Sequence, residues 1–267
     1  MTETGTIRTG IGGWTFDPWK NHFYPEKLKA KDELSFASSK LRAIEVNGTY
    51  YSSQKPATFA KWAAETPEGF VFSLKASRFC TNRRVLAEGS ESVMKFVTSG
   101  ITELGPKLGP ILWQFMPTKQ FDPDDFGAFL SLLPEKQDGV KLQHVVEVRH
   151  PSFVTGEFVD LLRRHKMACV VADHAEYPMI ADVTGDFAYL RLQKGEDENP
   201  HCYPDDAFDP WAKRLKAYSA GCIPENLPEL APEGAPSPAP HDVFAYFITG
   251  GKVNAPMGAM EMQRRVS

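Results

Sequence analysis

An α/β fold, a single (β/α)8 barrel of the TIM type, follows from three observations on the sequence. Short apolar runs recur along the chain, each ending in a polar or charged residue, as in Ala43-Ile44-Glu45-Val46-Asn47 and Val145-Val146-Glu147-Val148-Arg149. Helical-looking stretches separate them, which is the mark of repeated βα units. Eight such runs fit within 267 residues, the number that closes a barrel and a usual length for one. In barrels of this kind chemistry gathers at the carboxyl ends of the strands, so the residues closing each run are the first candidates for function.

The eight predicted strands are Ile7–Gly12, Ala43–Asn47, Phe70–Lys75, Pro110–Phe115, His144–Arg149, Ala168–Asp173, Phe187–Leu192 and Val243–Thr249. Helices are expected over Lys31–Lys40, Thr58–Glu65, Ser90–Leu104, Pro123–Leu133, Gly156–His165 and Asp209–Ala220. Asp32 and Ser90 suit N-caps, and Pro123 suits a first helical turn. The stretch 223–240 carries Pro224, Pro228, Pro232, Pro236, Pro238 and Pro240 and reads as an irregular loop within one domain spanning residues 1–267. It follows a helix and precedes the last strand, which places it at the N-terminal face, away from the catalytic end. Lys194–Ala207 leaves the seventh strand on the catalytic side and reads as a solvated loop, with a lid as the sharper alternative.

A formal charge of −4 gives no global attraction for nucleic acid or an anionic membrane, so any partner must be recognised locally. Cys80, Cys169, Cys202 and Cys222 lie far apart, without zinc-site spacing, and fit a reduced cytoplasmic protein. Cys169, inside an apolar run, reads as a small core residue. Met1–Thr9 lacks the layout of a signal peptide, and no apolar run approaches the roughly 20 residues that span a bilayer. The expected localisation is cytoplasmic.

Several separated motifs carry a family likeness. Gly12-Gly13-Trp14 with Trp19 and Phe23-Tyr24-Pro25, Glu45-Val46-Asn47-Gly48-Thr49-Tyr50-Tyr51, Gly109-Pro110-Ile111-Leu112-Trp113-Gln114-Phe115, and Glu147-Val148-Arg149-His150-Pro151-Ser152-Phe153 together resemble the YecE-like family, a domain of unknown function. The resemblance implies a TIM-type barrel and covers nearly the whole chain. Two departures stand near the end. Arg191-Leu192-Gln193-Lys194-Gly195 replaces a common histidine and glycine, and Phe247-Ile248-Thr249-Gly250-Gly251 replaces a common pair of asparagines.

Side chains alternate along a strand, so Glu147 and Arg149 share a face with Val145, while Val146 and Val148 form an apolar face for the helices. The charged set then points into the barrel mouth. The same count nominates Glu45 with Asn47, Lys75 with Ser73, Gln114 with Leu112, Asp173 with Val171 and Arg191 with Tyr189. Glu45 and Glu147 lie three strands apart and form a candidate catalytic pair, one a general acid and the other a base or nucleophile, as in glycoside cleavage. Trp14 and Tyr50 are candidate stacking surfaces for a sugar or base, whereas Trp19 and Tyr51 read as packing of the barrel top. The plainer reading is a structural network in which the charges satisfy one another.

Lys75, Arg149 and Arg191 also suit recognition of an anion such as phosphate or carboxylate, with Arg83 and Arg84 on a loop able to fold over it. The phosphate site common to such barrels corresponds to Gly250-Gly251-Lys252, with Asn254 as cap and Pro256 in a first helical turn. Glu147, His150, Asp173 and His174 offer metal-ligating chemistry, but their parity is wrong for one shared face, and neither a metal nor a cofactor is expected. The sequence thus favours an enzyme of hydrolase or lyase type acting on a phosphorylated, sugar-containing or nucleic-acid-derived substrate. Asn47 and Gln114 would orient that substrate. The alternative is a barrel that binds an anionic ligand or nucleic acid without changing it.

Overall fold

The protein is described by a computed structural model covering residues 4–267. Eight strands form a closed parallel barrel: β1 (Ile7–Gly12), β2 (Ala43–Val46), β3 (Val71–Lys75), β4 (Leu108–Gln114), β5 (His144–Glu147), β6 (Ala168–Asp173), β7 (Phe187–Leu192) and β8 (Asp242–Phe247). Each pairs with its chain neighbour, and β8 closes on β1 in the register Ile7 to Val243 through Ile11 to Phe247. All eight predicted strands are present. Asn47, Arg149 and Thr249, predicted as strand ends, lie just beyond them in the loops. A two-residue hairpin, Lys136–Gln137 with Val140–Lys141, precedes β5.

The helices are α1 (Glu33–Lys40), α2 (Gly48–Tyr51), α3 (Pro56–Ala64), α4 (Arg78–Thr81), α5 (Ser90–Val97), α6 (Pro123–Ser131), α7 (Gly156–Arg164), α8 (Asp205–Ser219) and α9 (Ala255–Val266). The long helix expected over Ser90–Leu104 is interrupted. Gly100 adopts φ +96, a left-handed conformation that ends α5 and lets a 3-10 turn over Ile101–Lys107 follow. Capping is also redistributed. Pro123 opens α6 as expected, with Asp122 accepting from the Asp124 and Asp125 amides at 3.1 Å. Ser90 is already helical, and the Asp32 side chain makes no capping bond.

No helix links β6 to β7; residues 174–186 run down the outside of the barrel. The proline-rich segment occupies the vacant place. It begins and ends near the N-terminal face, as expected, but its middle climbs the barrel wall beside α7, where Leu230 and Ala231 approach Gly156 at the start of that helix. The buried Asp182 carboxylate accepts from the Leu230 and Ala231 amides at 2.9 Å, and Arg163 donates to the Ala231 carbonyl at 2.7 Å. Six prolines suit this duty because an extended segment lying on another needs few amide donors of its own.

Two apolar layers result. Outside the strands, helices pack on residues such as Trp113, whose ring meets Phe96 and Phe129 edge-on while its indole N–H donates to His144 Nδ1 at 3.0 Å. His144 Nε2 then donates to the Pro134 carbonyl, so the buried ring is neutral and satisfied at both nitrogens. Inside, Ala43, Val71, Leu112, Val145, Ala168, Val170, Phe187 and Phe244 fill the barrel. No helix among the described residues is long and apolar enough to cross a membrane.

Candidate functional site

Alternation along β2, β5 and β7 brings Glu45, Glu147 and Arg191 together at the carboxyl end of the barrel, all three buried. The Arg191 guanidinium lies between the two carboxylates. It donates to Glu45 through Nε at 3.2 Å and Nη2 at 3.0 Å, and to Glu147 through Nη1 at 2.6 Å. Tyr189 donates its hydroxyl to Glu45 at 2.7 Å, and Arg149 donates to the second Glu147 oxygen through Nε at 3.1 Å and Nη2 at 3.0 Å. Below this layer Tyr246 and Ser73 share a 2.6 Å hydrogen bond. Such charges tolerate burial only because each is paired and hydrogen-bonded.

The electrostatics follow from this packing. Burial pushes the Glu147 carboxyl up, yet Arg191, Arg149 and Lys75 together outweigh it and hold the group below its ordinary value. The Tyr189 hydroxyl is pushed well above its ordinary value by burial and by the Glu45 charge. Arg191 is likewise raised by its two carboxylate partners despite burial, and remains a cation at any ordinary pH.

Above the network opens a cavity of about 650 Å3, lined among others by Asn47, Tyr50, Lys75, Gln114, Arg149 and Arg191. Thr249 and Lys252 complete its polar wall. Its charged lining residues are all basic, because Glu45 and Glu147 lie beneath Arg191 and Arg149. Lys75 is the one lysine buried among the described residues. No carboxylate lies within 4.0 Å of its Nζ, which instead sits 4.2 Å from the centre of the Tyr50 ring. Burial, reinforced by repulsion from Arg191, pushes its pKa down to about 8. Arg149 is similarly placed over the Tyr177 ring at 4.5 Å. The amide of Gln114 has no side-chain hydrogen-bond partner among the described residues, and that of Asn47 has only a 3.4 Å contact to the Glu45 carbonyl, so both face the cavity with capacity to spare.

Other candidates lie elsewhere. Asp173 points away from the mouth: Ala168, Val170 and Ala172 face the barrel interior, and Val171 joins the outer layer. Its carboxylate accepts from the Tyr203 hydroxyl at 2.9 Å and pairs with Lys194 at 3.0 Å. Trp14 does not line the cavity. Its ring meets Trp62 at 5.1 Å and Phe72 at 6.3 Å, while Trp19 and Tyr51, read as packing, contribute to the lining. Arg83 turns back to the Phe79 and Glu88 carbonyls rather than over the mouth.

The four residues weighed as metal ligands do not converge. Glu147 belongs to the arginine network, His150 bonds Ser152, Asp173 holds Tyr203, and His174 stacks on Tyr177 at 3.8 Å. Among the described residues no three His, Cys, Asp or Glu side chains come together as a metal-binding group.

The glycines after β8 serve packing. A Cβ on Gly250 would lie 2.3 Å from the Gly195 carbonyl oxygen, so this close crossing of two loops admits only glycine. At the start of α9 the Val253 amide donates to Asp197, and Asn254 bonds His22 and the Asp197 and Asn199 carbonyls, which ties residues 197–199 to this turn. Only Lys252 of that segment's charges reaches the cavity, its Nζ 4.3 Å from the Phe16 ring centre. Tyr177 had no signal in the sequence, since it lies in the helix-free connection.

Comparison with known proteins agrees with this architecture. UPF0759 protein YunF of Bacillus subtilis (strain 168) is 28% identical over 116 residues, 42% of this chain and 40% of that protein, so the match spans less than half of either. A DUF72 family protein from Thermotoga maritima MSB8 superposes with a TM-score of 0.73 at 21% identity, covering 97% of this chain and 98% of that one. A second, from Enterococcus faecalis V583, gives 0.69 at 16% identity over 99% and 98%. At such identities these likenesses speak for the fold alone. A family model matches residues 8–267, from the first strand through the last helix, and the chain therefore belongs to the family described as protein of unknown function DUF72.

Proposed function

We propose that the mouth of the barrel binds an anionic, sugar-like small molecule, a phosphorylated one above all, and acts on it by acid–base chemistry of the hydrolase or lyase type. One observation carries this reading: the charged side chains lining the cavity are all basic, while the carboxylates beneath are held in ion pairs. An arginine held rigid by a buried carboxylate presents its remaining N–H groups in fixed geometry, which suits phosphate or carboxylate. Asn47 and Gln114 supply neutral donors and acceptors for hydroxyl groups, and the Tyr50 ring an apolar face.

The division of labour differs from the carboxylate pair suggested by the sequence. A general acid must hold a proton near neutral pH, and Glu147 is pushed the other way. In this reading Glu45 and Glu147 set Arg191 and Arg149 in place. Proton transfer falls to Lys75, whose pKa of about 8 suits it to give and take a proton near neutrality. The locked glutamates also favour a second reading, a barrel that binds an anion or the end of a nucleic acid without turnover. A nucleic acid would reveal itself by affinity that falls steeply with salt.

The test is a thermal-shift screen of wild type, Arg149→Ala and Lys252→Ala against phosphorylated sugars, nucleotides, short oligonucleotides and neutral sugars. A ligand at about 100 times its Kd adds about 2.7 kcal/mol, a readily measured rise in melting temperature. The expected result is a rise with phosphorylated sugars that shrinks in both variants. Lys252 takes no part in the buried network, so its loss reports on binding rather than folding. A rise with neutral sugars alone would overturn the anion assignment.

A further inference from the structure

Resting on the anion-pocket reading, we propose that Lys75 is an amine nucleophile that condenses with the carbonyl carbon of a small anionic aldehyde or ketone to form an imine. Three features single it out. Lysine side chains ordinarily reach into water, yet this one ends β3 inside the barrel and is 8% exposed. Buried lysines are ordinarily paired, yet Lys75 has no carboxylate or carbonyl on its Nζ, whereas even the half-buried Lys107 donates to the Ala63 and Thr66 carbonyls and the exposed Lys194 pairs with Asp173. Finally, burial together with the Arg191 and Arg149 guanidiniums that line the cavity beside it outweighs the Glu45 and Glu147 carboxylates beneath, which disfavours a further cation at this point and favours the free amine.

The arrangement matches what the reaction requires. A phosphate or carboxylate held by Arg149 and Lys252 would bring the uncharged carbonyl end of a short substrate into the cavity beside Lys75. The nitrogen lone pair attacks the carbonyl carbon, and a proton passes from nitrogen to the former carbonyl oxygen, giving a carbinolamine. Loss of that hydroxyl as water, with the second nitrogen proton, leaves the C=N bond. The sum is amine plus carbonyl giving imine plus water, with no oxidant or reductant. The Tyr50 face against Nζ holds the side chain in one place without quenching it by ion pairing. An imine at Lys75 would serve as an electron sink for cleavage or proton abstraction at the adjacent carbon, the lyase branch of the proposed activity.

The test incubates the full-length protein with dihydroxyacetone phosphate or with dihydroxyacetone, reduces any imine with cyanoborohydride, and maps the adduct by peptide mass spectrometry. The expected result is a single reduced adduct on Lys75, absent in Lys75→Arg and Lys75→Met. Dihydroxyacetone should label about tenfold less at equal concentration, the factor that loss of one hydrogen bond to a charged group makes in affinity. Thermal shift on the same samples separates the two ideas. If the phosphorylated ketone raises the melting temperature of wild type but leaves Lys75 unlabelled, the imine proposal fails and the anion pocket stands. If it neither shifts the melting temperature nor labels Lys75, both fail. Labelling spread over exposed lysines and unchanged in Lys75→Arg would also overturn the proposal.

Discussion

The two ends of the barrel interior are built from opposite materials. Toward the N-terminal end, Ala43, Val71, Leu112, Val145, Ala168, Phe187 and Phe244 form an apolar plug. Toward the carboxyl end the same strands present Glu45, Lys75, Gln114, Glu147 and Arg191. The hydroxyls of Tyr246 and Tyr189 mark the boundary, one bonding Ser73 and the other Glu45. An apolar plug gains stability simply from burial, whereas buried ion pairs roughly break even against apolar residues of the same volume. Stability alone would be served about as well by continuing the plug upward, so variants of the charged layer are where the function proposed for the mouth and a purely structural role part company.

The largest effect should come from removing the cation that joins the two carboxylates. Arg191→Met is expected to cost about 3–5 kcal/mol, because it strands Glu45 without a cation and leaves Glu147 only Arg149. Denaturant unfolding would measure it. The triple change Glu45→Gln, Glu147→Gln, Arg191→Met should recover most of that loss while abolishing ligand binding. If the triple variant stays as unstable as the single one, the charged layer is structural after all. The acid limb gives an independent check. Since Glu147 is depressed in the folded protein, its contribution is present above the unfolded value of about 4.3 and disappears as the pH falls through the lower folded value. Wild type should therefore lose stability in that acid range faster than Glu147→Gln.

At the apolar end, Leu112→Ala should cost about 3 kcal/mol through lost burial and the cavity left behind, and should leave ligand affinity nearly unchanged. Chemical denaturation and the thermal-shift titration together measure both quantities. A change in affinity as large as the change in stability would mean that the two ends are coupled, and the division drawn here would fail.

How far this division could be read from the sequence depended on contrast between the two faces of each strand. In β5 the alternation of Val146 and Val148 with Glu147 and Arg149 is unambiguous, and Glu147 lies inside the barrel as that pattern predicts. In β6 both faces are apolar, with Cys169 and Val171 on one side and Val170 and Ala172 on the other. The pattern carries no signal there, so the sequence does not show that Asp173, in parity with Val171, belongs to the outer face. Trp14 failed for another reason. It follows a turn at Gly13 with φ +73, where strand parity no longer applies. Pairing was not legible either: the sequence supplies three cations and two glutamates at the mouth, but only the placement of β7 opposite β2 and β5 decides that Arg191 takes both glutamates and Lys75 none.

That unpaired lysine gives the smallest effect and the most discriminating one. Lys75→Met removes a buried ammonium whose burial and repulsion from Arg191 outweigh the attraction of Glu45 and Glu147, so it should raise stability at pH 7. A depression from 10.5 to about 8 corresponds to about 3 kcal/mol, of which contact with the Tyr50 ring returns part, so about 2 kcal/mol is the expected gain. The sign with pH is fixed by linkage. Between about 8 and 10.5 the unfolded chain holds a proton on Lys75 that the folded protein has released, so wild type gains stability relative to Lys75→Met as the pH rises through that window. Urea unfolding of both proteins at pH 7, 8, 9 and 10 would follow the gap as it closes. A gap that stays constant would mean that Lys75 keeps its proton in the fold, and an amine that stays protonated has no lone pair for either the proton transfer or the imine assigned to it.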